Sequence, residues 1–364
     1  MFIFADVKKY KKHIRFTLPL SLICIILIGL TTCDKGQAPG IADGAPSVYY
    51  WRTTLRLDST ERAFLAQHHI EKVYLHLFDV VVADGKCQPA ATLAFNDTLP
   101  ADIRIVPTVF LTEECLHADT TDLASHIVAR VAKMCQAKRL RHAHELQIDC
   151  DWTPTSREAY FGLLARIRTQ LAALSDSEAP EGWRLSTTIR LHQLSQPAPP
   201  VAYGVLMLYN TDSPYKRDSR NPIFAPEDIQ PYLRSLQHYS LPLVAAYPNF
   251  RWQRLFHGDE FKALLYSENL SDSTVYEPVE GDSLYRVVQG RTLHVELQGS
   301  HDVRLLPGDE VVVTRPNAGE LISTARLLHK ARPSLHNQVI FYHLDHASIN
   351  QLNQKDYETM YHLQ

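Results

Sequence analysis

Eight short apolar segments, most of them followed by a stretch of helical periodicity, constrain the fold of this chain more than any other feature of its sequence. The apolar segments are 48–54, 72–79, 103–111, 146–152, 184–192, 202–210, 241–248 and 338–345. Apolar residues at i, i+3 and i+4 recur in 60–69, 123–138, 156–174, 226–238 and 320–331. Strands that alternate with helices pair in parallel, and eight such units predict an α/β fold, a (β/α)8 TIM barrel. An open doubly wound sheet is the alternative, although no glycine-rich turn follows the first segment.

The composition agrees with a globular barrel. Apolar residues make up 45% and charged residues 21% of the 364 residues, so the chain can bury a full core. These values exclude a disordered, collagen-like or coiled-coil protein. Only 16–30 is long and apolar enough to enter a bilayer, which excludes a polytopic membrane protein.

The spacing of the apolar segments is broken once. The seventh ends at residue 248 and the eighth begins at residue 338. Short strand-like runs fill much of this interval, separated by turn signals such as Pro307-Gly308-Asp309. We therefore predict a small all-β insertion over 270–317 between strands seven and eight, which either binds a partner or glycan or is a structural flap.

The amino terminus has the pattern of an export signal. Five basic side chains precede residue 16, and 16–30 is apolar apart from Thr17 and Ser21. The apolar run ends just before Cys33 in a sequence that resembles a bacterial lipobox, in which the cysteine is acylated and becomes the first mature residue. Thr32 departs from the Gly, Ala or Ser that usually precedes this cysteine, and an uncleaved membrane anchor is the alternative.

We predict a lipoprotein signal peptide over 1–32, a polar tether over 33–47 and the barrel over 48–364. The protein would then lie in the cell envelope, joined to a membrane through its lipid anchor and facing the periplasm or the cell exterior. Removing 1–32 leaves 32 basic and 39 acidic side chains, a net charge of −7. A nucleic-acid partner is not expected, because such proteins usually carry a basic face.

Four further cysteines follow Cys33, and none has the spacing of a zinc site. Cys87 and Cys115 follow consecutive predicted strands and are candidates for a disulfide in an exported protein. Cys135 lies in a helical pattern and Cys150 on an apolar strand face, so both are expected to be buried apolar side chains. We predict neither a metal nor a cofactor.

The fourth apolar segment carries the strongest functional signal. Within 146–152, period two places Gln147, Asp149 and Asp151 on one face of a strand and apolar residues on the other. The apolar face should meet the helices, so the carboxyl groups should point into the barrel. Two carboxyl groups on one face keep one of them protonated, which suits general acid or base catalysis. The alternative is a structural pair that anchors the fold.

Polar and aromatic side chains also end the other strands, at the rim where barrel active sites lie. We predict Asp149, Asp151 and Tyr209 as catalytic residues, and we expect further residues of this rim to bind substrate. These are Trp51, Arg52, Asp79, Trp152, Arg190, His192, Asn210, Tyr247, His343 and Asp345.

Two of these strand ends carry recognisable motifs. Ile148-Asp149-Cys150-Asp151-Trp152-Thr153 resembles the strand-four signature Asp-Gly-x-Asp-x-Asp-x-Glu, and Met207-Leu208-Tyr209-Asn210 resembles the strand-six motif Met-x-Tyr-Asp/Asn. Both belong to glycoside hydrolase family 18, the chitinase-like barrels. The resemblance implies that Asp151 orients the acetamide of a substrate sugar, whose carbonyl is the nucleophile, and that Tyr209 supports this group.

The chain departs from the family at three places. Thr153 occupies the position of the terminal Glu, which is the family's catalytic acid. Leu146 and Gln147 replace the opening Asp and Gly, and Tyr342-His343 stands where the family often has a Trp as the floor of the sugar site. The chain as a whole also resembles lipoproteins of Bacteroides-type bacteria, which implies a location and no reaction.

Three functions therefore compete. A glycoside hydrolase needs a second carboxyl group, and candidates for a relocated acid are Asp79, Glu113, Asp212 and Asp345. Aromatic candidates for stacking on sugars are Trp51, Trp152, Tyr247 and Trp252. A glycan-binding lipoprotein that has lost the acid is the second function, favoured by Thr153. A metal-dependent hydrolase is the third, with the ligand candidates His76, Asp149, Asp151, His192 and His343.

Overall fold

The structure is a computed structural model that describes residues 44–140, 143–174, 182–218, 220–265, 268–295 and 301–363. Eight parallel strands form its central sheet: β1 Ser47–Tyr50, β2 Lys72–Ala83, β3 Arg104–Leu111, β4 Glu145–Asp149, β5 Arg184–Ile189, β6 Tyr203–Met207, β7 Leu243–Pro248 and β8 Val339–Tyr342. The sheet is closed, because β1 pairs with β8 on one side and with β2 on the other. The predicted (β/α)8 barrel is therefore confirmed, and the open sheet is excluded.

Helices cover the outside of the barrel. They are α1 Ser59–Gln67, α2 Leu123–Lys138, α3 Arg157–Ala172, α4 Pro226–Ile229, α5 Leu233–His238, α6 Ala318–Ala331, α7 His346–Ile349 and α8 Gln354–Tyr361. Single turns of 3₁₀ helix occupy Glu113–His117, Leu191–Ser195, Gln230–Tyr232 and Pro333–Asn337. The helix expected over 226–238 is thus divided, because Pro231 has no N–H to donate within a regular helix.

Alternate side chains of the strands point into the barrel, where the polar ones form hydrogen bonds with one another across the interior. Tyr49 Oη donates to Gln147 Oε1 at 2.8 Å, and the hydroxyl oxygens of Tyr74 and Tyr203 lie 2.8 Å apart. Tyr203 also donates to the buried carboxylate of Glu145. These bonds offset the cost of removing polar groups from water. Gln147 therefore faces the interior, as its place in the sequence predicts.

A second sheet lies in the chain between β7 and β8. Its antiparallel strands are Trp252–His257, Glu260–Leu265, Tyr276–Glu280, Leu284–Val287 and Glu310–Thr314, and a separate hairpin is formed by Thr292–Val295 and His301–Arg304. The sheet has a hydrophobic core of its own around Leu255, Tyr276 and Val311. It starts at Trp252, before the expected boundary at residue 270, because the hairpin of Trp252–His257 and Glu260–Leu265 is part of it. This hairpin turns at Gly258 with φ +57°.

The predicted signal peptide and most of the predicted tether, residues 1–43, lie outside the described residues. Within the described ranges, no helix combines the length and the hydropathy that crossing a membrane requires.

Candidate functional site

Aromatic rings from four strand ends meet at the carboxyl rim of the barrel. The ring of Trp51 stacks on that of His76 with centroids 4.6 Å apart. The Tyr342 ring lies 5.9 Å from Trp51 and stacks on the Tyr209 ring at 5.0 Å. Trp51 and Tyr342 remain partly exposed. Flat rings of this kind are suited to packing against the apolar face of a ligand.

Arg190 contacts both Asp149, the last residue of β4, and Asp151, two residues further along the chain. Its Nη2 lies 3.4 Å from Asp149 Oδ1, and its Nε donates to Asp151 Oδ1. Thr188 Oγ1 also donates to Asp149 Oδ1, at 2.6 Å. The Asp149 side chain is 5% exposed, whereas that of Asp151 is 57% exposed. One guanidinium therefore balances a buried carboxylate and an exposed one.

The charges of this cluster shift its pKa values. Burial raises the pKa of Asp149, the charge of Asp151 raises it further, and Arg190 and the Thr188 hydroxyl oppose both effects. Burial lowers the pKa of Arg190, but the two carboxylates outweigh burial and raise it overall. Arg190 therefore stays charged, and Asp149 binds a proton more readily than an ordinary aspartate does.

The position of the family's acid is held by a hydroxyl that is bonded to another carboxylate. Thr153 Oγ1 donates to Glu113 Oε1 at 2.6 Å, and Ser156 Oγ donates to the same oxygen at 2.7 Å. These two hydrogen bonds lower the pKa of Glu113. Glu113, one of the candidates for a relocated acid, is therefore beside the expected position but is held ionised.

A cavity of about 700 Å³ opens beside Arg190. Five of the predicted site residues line it: Asp151, Arg190, His192, Tyr209 and Asn210. The strand predicted to reach His192 ends at Ile189, so His192 lies on the exposed turn that follows it. Tyr209 Oη is buried and has no hydrogen-bond partner among the described residues. A buried hydroxyl left in this way costs free energy that a ligand or water can recover.

Two predicted site residues lie elsewhere. Trp152 is fully buried and packs edge-on against Phe161 of α3, with ring centroids 5.3 Å apart. Tyr247 is also fully buried, and its hydroxyl lies 2.8 Å from His336 Nε2 outside the barrel. Both side chains point toward the helical layer, so neither belongs to the rim cluster.

Three further predicted residues lie where β1 and β8 end, and two of them are in contact, because Arg52 Nη1 lies 4.0 Å from Asp345 Oδ2. Arg52 Nη2 lies 3.0 Å from a carboxylate oxygen of the buried Glu61. Asp345 caps α7 and accepts hydrogen bonds from the backbone N–H groups of Ala347 and Ser348. His343 is buried, and burial lowers its pKa to about 4. These contacts give Arg52 and Asp345 a structural role at this junction.

Asp79 has a partner that the sequence did not predict. Its Oδ1 lies 2.7 Å from His76 Nε2, and His76 is buried beneath Trp51. Residues three apart on a regular strand face opposite sides, but β2 has a register shift between His76 and Phe78. In the described part of the chain, no three His, Cys, Asp or Glu side chains are grouped as metal ligands.

Solved structures share this architecture. A chitinase from Chromobacterium violaceum ATCC 12472 matches with a TM-score of 0.51 and 15% identity, over 86% of this chain and 98% of the chitinase. The spore cortex-lytic enzyme SleL of Bacillus cereus matches with a TM-score of 0.50 and 12% identity, over 87% of this chain and 73% of SleL. The resemblance to chitinase-like barrels is confirmed. At these identities it is a likeness of fold.

No family model matches the sequence, and no curated protein matches it either. The chemistry of the site therefore has to be argued from its own residues.

Proposed function

We propose that this protein binds a glycan at the carboxyl rim of its barrel and does not hydrolyse it. The observation that carries this proposal is the bonding at the two positions that would perform catalysis. Thr153 occupies the position where an acid is needed and is bonded to Glu113. Arg190 is paired with both Asp149 and Asp151. A cavity at the same rim supports the binding of a ligand there.

Hydrolysis of a glycosidic bond requires a group that protonates the leaving oxygen. A threonine hydroxyl cannot lose a proton at neutral pH, and its proton here points to Glu113. Asp151 does not replace the acid, because its carboxylate is engaged by the guanidinium of Arg190. The site can orient a ligand, but it lacks a proton donor at the position where the family has one.

The same residues are well arranged for binding. The cavity beside Arg190 has a volume of about 700 Å³, within the usual range for sites of small ligands. Asn210, Asp151 and Arg190 offer polar groups in the cavity wall. Trp51 and Tyr342 offer partly exposed rings, and the Tyr342 ring stacks on Tyr209 of that wall. A sugar presents an apolar face and a ring of hydroxyl groups, which matches this combination.

A hydrolase that uses Glu113 is the second candidate. Its support is the distance of 2.6 Å between Glu113 Oε1 and Thr153 Oγ1, which places a carboxylate next to the missing acid. Its weakness is that two hydroxyl donors lower the pKa of Glu113, whereas a general acid needs a raised pKa.

One pair of assays separates the two candidates. N-acetylglucosamine oligosaccharides are the first probe, because one of the matched structures is a chitinase. We expect calorimetric binding without release of chromophore from chromogenic glycosides. Asp151→Asn and Arg190→Met should weaken binding, and Asp102→Asn, an exposed residue before β3, should not. Hydrolysis that falls about 100- to 10,000-fold in Glu113→Gln would establish the hydrolase instead. A panel of glycans without any binding would refute the proposed site.

We further propose that the protein is held in the cell envelope by a lipid on Cys33. The support is the basic and apolar start of the chain and its resemblance to a lipobox. A glycan-binding domain on such an anchor would act on glycans at the cell surface or in the periplasm. Labelling with palmitate tests this location.

A further inference from the structure

Two cysteines that follow β2 and β3 in the chain lie close together. Cys87 belongs to the strand Lys86–Ala90, which pairs antiparallel with the end of β2. Cys115 belongs to the 3₁₀ turn Glu113–His117 that follows β3. Cys87 Sγ lies 3.7 Å from the carbonyl oxygen of Cys115. All four described cysteines are free in the structure.

Both thiols are held against the same part of β2. Cys115 Sγ is fully buried, 3.4 Å from the carbonyl oxygen of Val80. Cys87 is the register partner of Val82, two residues further along the strand. A disulfide needs a Cα separation of about 4.4–6.8 Å and side chains that point toward each other. Cys87 Sγ already contacts the backbone of Cys115, so bringing the two sulfurs together requires no movement of the barrel strands.

We propose that Cys87 and Cys115 form a disulfide that ties the strand after β2 to the turn after β3. The oxidant is a disulfide compound, such as glutathione disulfide in a buffer or a disulfide-exchange protein in an oxidising compartment. The partly exposed Cys87 reacts first, because Cys115 is inaccessible to solvent.

The reaction balances as two exchanges. The Cys87 thiolate attacks one sulfur of the oxidant and expels its first thiolate, leaving a mixed disulfide. The Cys115 thiolate then attacks the Cys87 sulfur and expels the second thiolate. Two cysteine thiols are oxidised, one disulfide of the oxidant is reduced to two thiols, and the two cysteine protons pass to solvent or to the released thiolates. Burial and the neighbouring thiol raise the pKa of Cys87 to about 12, so the exchange should be slow at pH 7 and faster at pH 8.5.

The bond would brace the rim of the barrel. The turn that holds Cys115 also holds Glu113, whose carboxylate accepts hydrogen bonds from Thr153 and Ser156 after β4. A link from Cys115 to the hairpin of β2 therefore fixes three consecutive strand ends relative to one another. This inference does not depend on the proposed glycan site.

The first test is a peptide map of the full chain after equilibration with glutathione disulfide at pH 8.5 and alkylation. Trypsin cuts after Lys86, Arg104 and Arg130, so Cys87 and Cys115 fall in the adjacent peptides 87–104 and 105–130. We expect these two peptides to be joined by a disulfide, and the peptides of Cys135 and Cys150 to be alkylated. Alkylation of both Cys87 and Cys115, or a link from either to another cysteine, overturns the proposal.

The second test is thermal. The bond closes a loop of 28 residues, and closing such a loop should raise Tm by about 5 °C in a chain of this size. Dithiothreitol should therefore lower Tm of the oxidised wild-type protein and of Cys135→Ser, a control that removes a buried thiol from α2. Cys87→Ser should not respond to dithiothreitol. An equal response of Cys87→Ser and wild type would also overturn the proposal.

Discussion

Removing Arg190 should destabilise the fold mainly through Asp149. The Asp149 side chain is 5% exposed, and without Arg190 it keeps a hydrogen bond from the Thr188 hydroxyl at 2.6 Å. Breaking a buried ion pair by removing one partner costs about 3–5 kcal/mol. Arg190 is itself 21% exposed, so we expect a loss of about 2–4 kcal/mol at pH 7. The exposed Asp151 adds at most about 1 kcal/mol, because solvent screens its pair.

The loss should depend on pH in a defined direction. Burial already raises the pKa of Asp149, and loss of Arg190, which opposes this rise, should raise it further. When the pKa of a carboxyl group is higher in the folded than in the unfolded protein, the folded protein binds more protons. The free energy of unfolding therefore rises as pH falls through the folded pKa. The deficit of Arg190→Met should therefore be largest at pH 7 and smaller at pH 5.

Urea unfolding followed by tryptophan fluorescence measures these differences. The set is wild type, Arg190→Met, Asp149→Asn and the double variant, each at pH 5 and pH 7. The double variant should recover most of the loss, because it leaves no uncompensated buried charge. Arg62→Met, which breaks the exposed pair with Asp97, is the matched control and should cost less than about 1 kcal/mol. An Arg190→Met deficit that is equal at both pH values and is not rescued by Asp149→Asn would refute this reasoning.

Three further results are expected. Glu113→Gln should lower the free energy of unfolding by about 1 kcal/mol at pH 7. The difference should vanish in acid, because the stability that comes from the lowered pKa of Glu113 is lost as pH falls through that pKa. Urea titration at pH 7 and pH 3 checks this. Burial lowers the pKa of His336 to about 3, so stability should fall by up to about 1.4 kcal/mol per pH unit on acidification below about pH 6.5, and less steeply in His336→Gln. Cys33→Ser should abolish palmitate labelling and release the protein from membranes; unchanged labelling would contradict the lipid anchor.

The sequence predicts the barrel and the core of the candidate site because period two is explicit in β4. Charged or amide side chains alternate there with apolar ones, so the inward face is readable, and Gln147 and Asp149 are both buried inside. The same alternation places Trp152 with Ile148 on the outward face of the strand, which argues against Trp152 as a substrate-binding residue. β7 offers no such alternation, because all six of its residues are buried, so the sequence alone does not show that Tyr247 faces the helices.

Other parts of the site depend on features that leave no local pattern. The pairing of His76 with Asp79 requires the register shift in β2, and the sequence of the apolar segment 72–79 contains no signal of that shift. The Glu113–Thr153 contact joins residues 40 positions apart through the packing of two loops. Arg52 and Asp345 lie at strand ends as predicted, but their contact with each other across the junction of β1 and β8 depends on the closure of the barrel.

The chain passes from the barrel to the second sheet and back again at neighbouring positions. Trp252 in its first strand is the register partner of Thr314 in its last, so the chain departs and returns on neighbouring strands. Adjacent residues of an antiparallel pair have Cα atoms about 5 Å apart, a gap that a short turn can span. Insertion, exchange or loss of the whole second sheet therefore requires recombination at only one site and leaves the closed eight-stranded barrel intact.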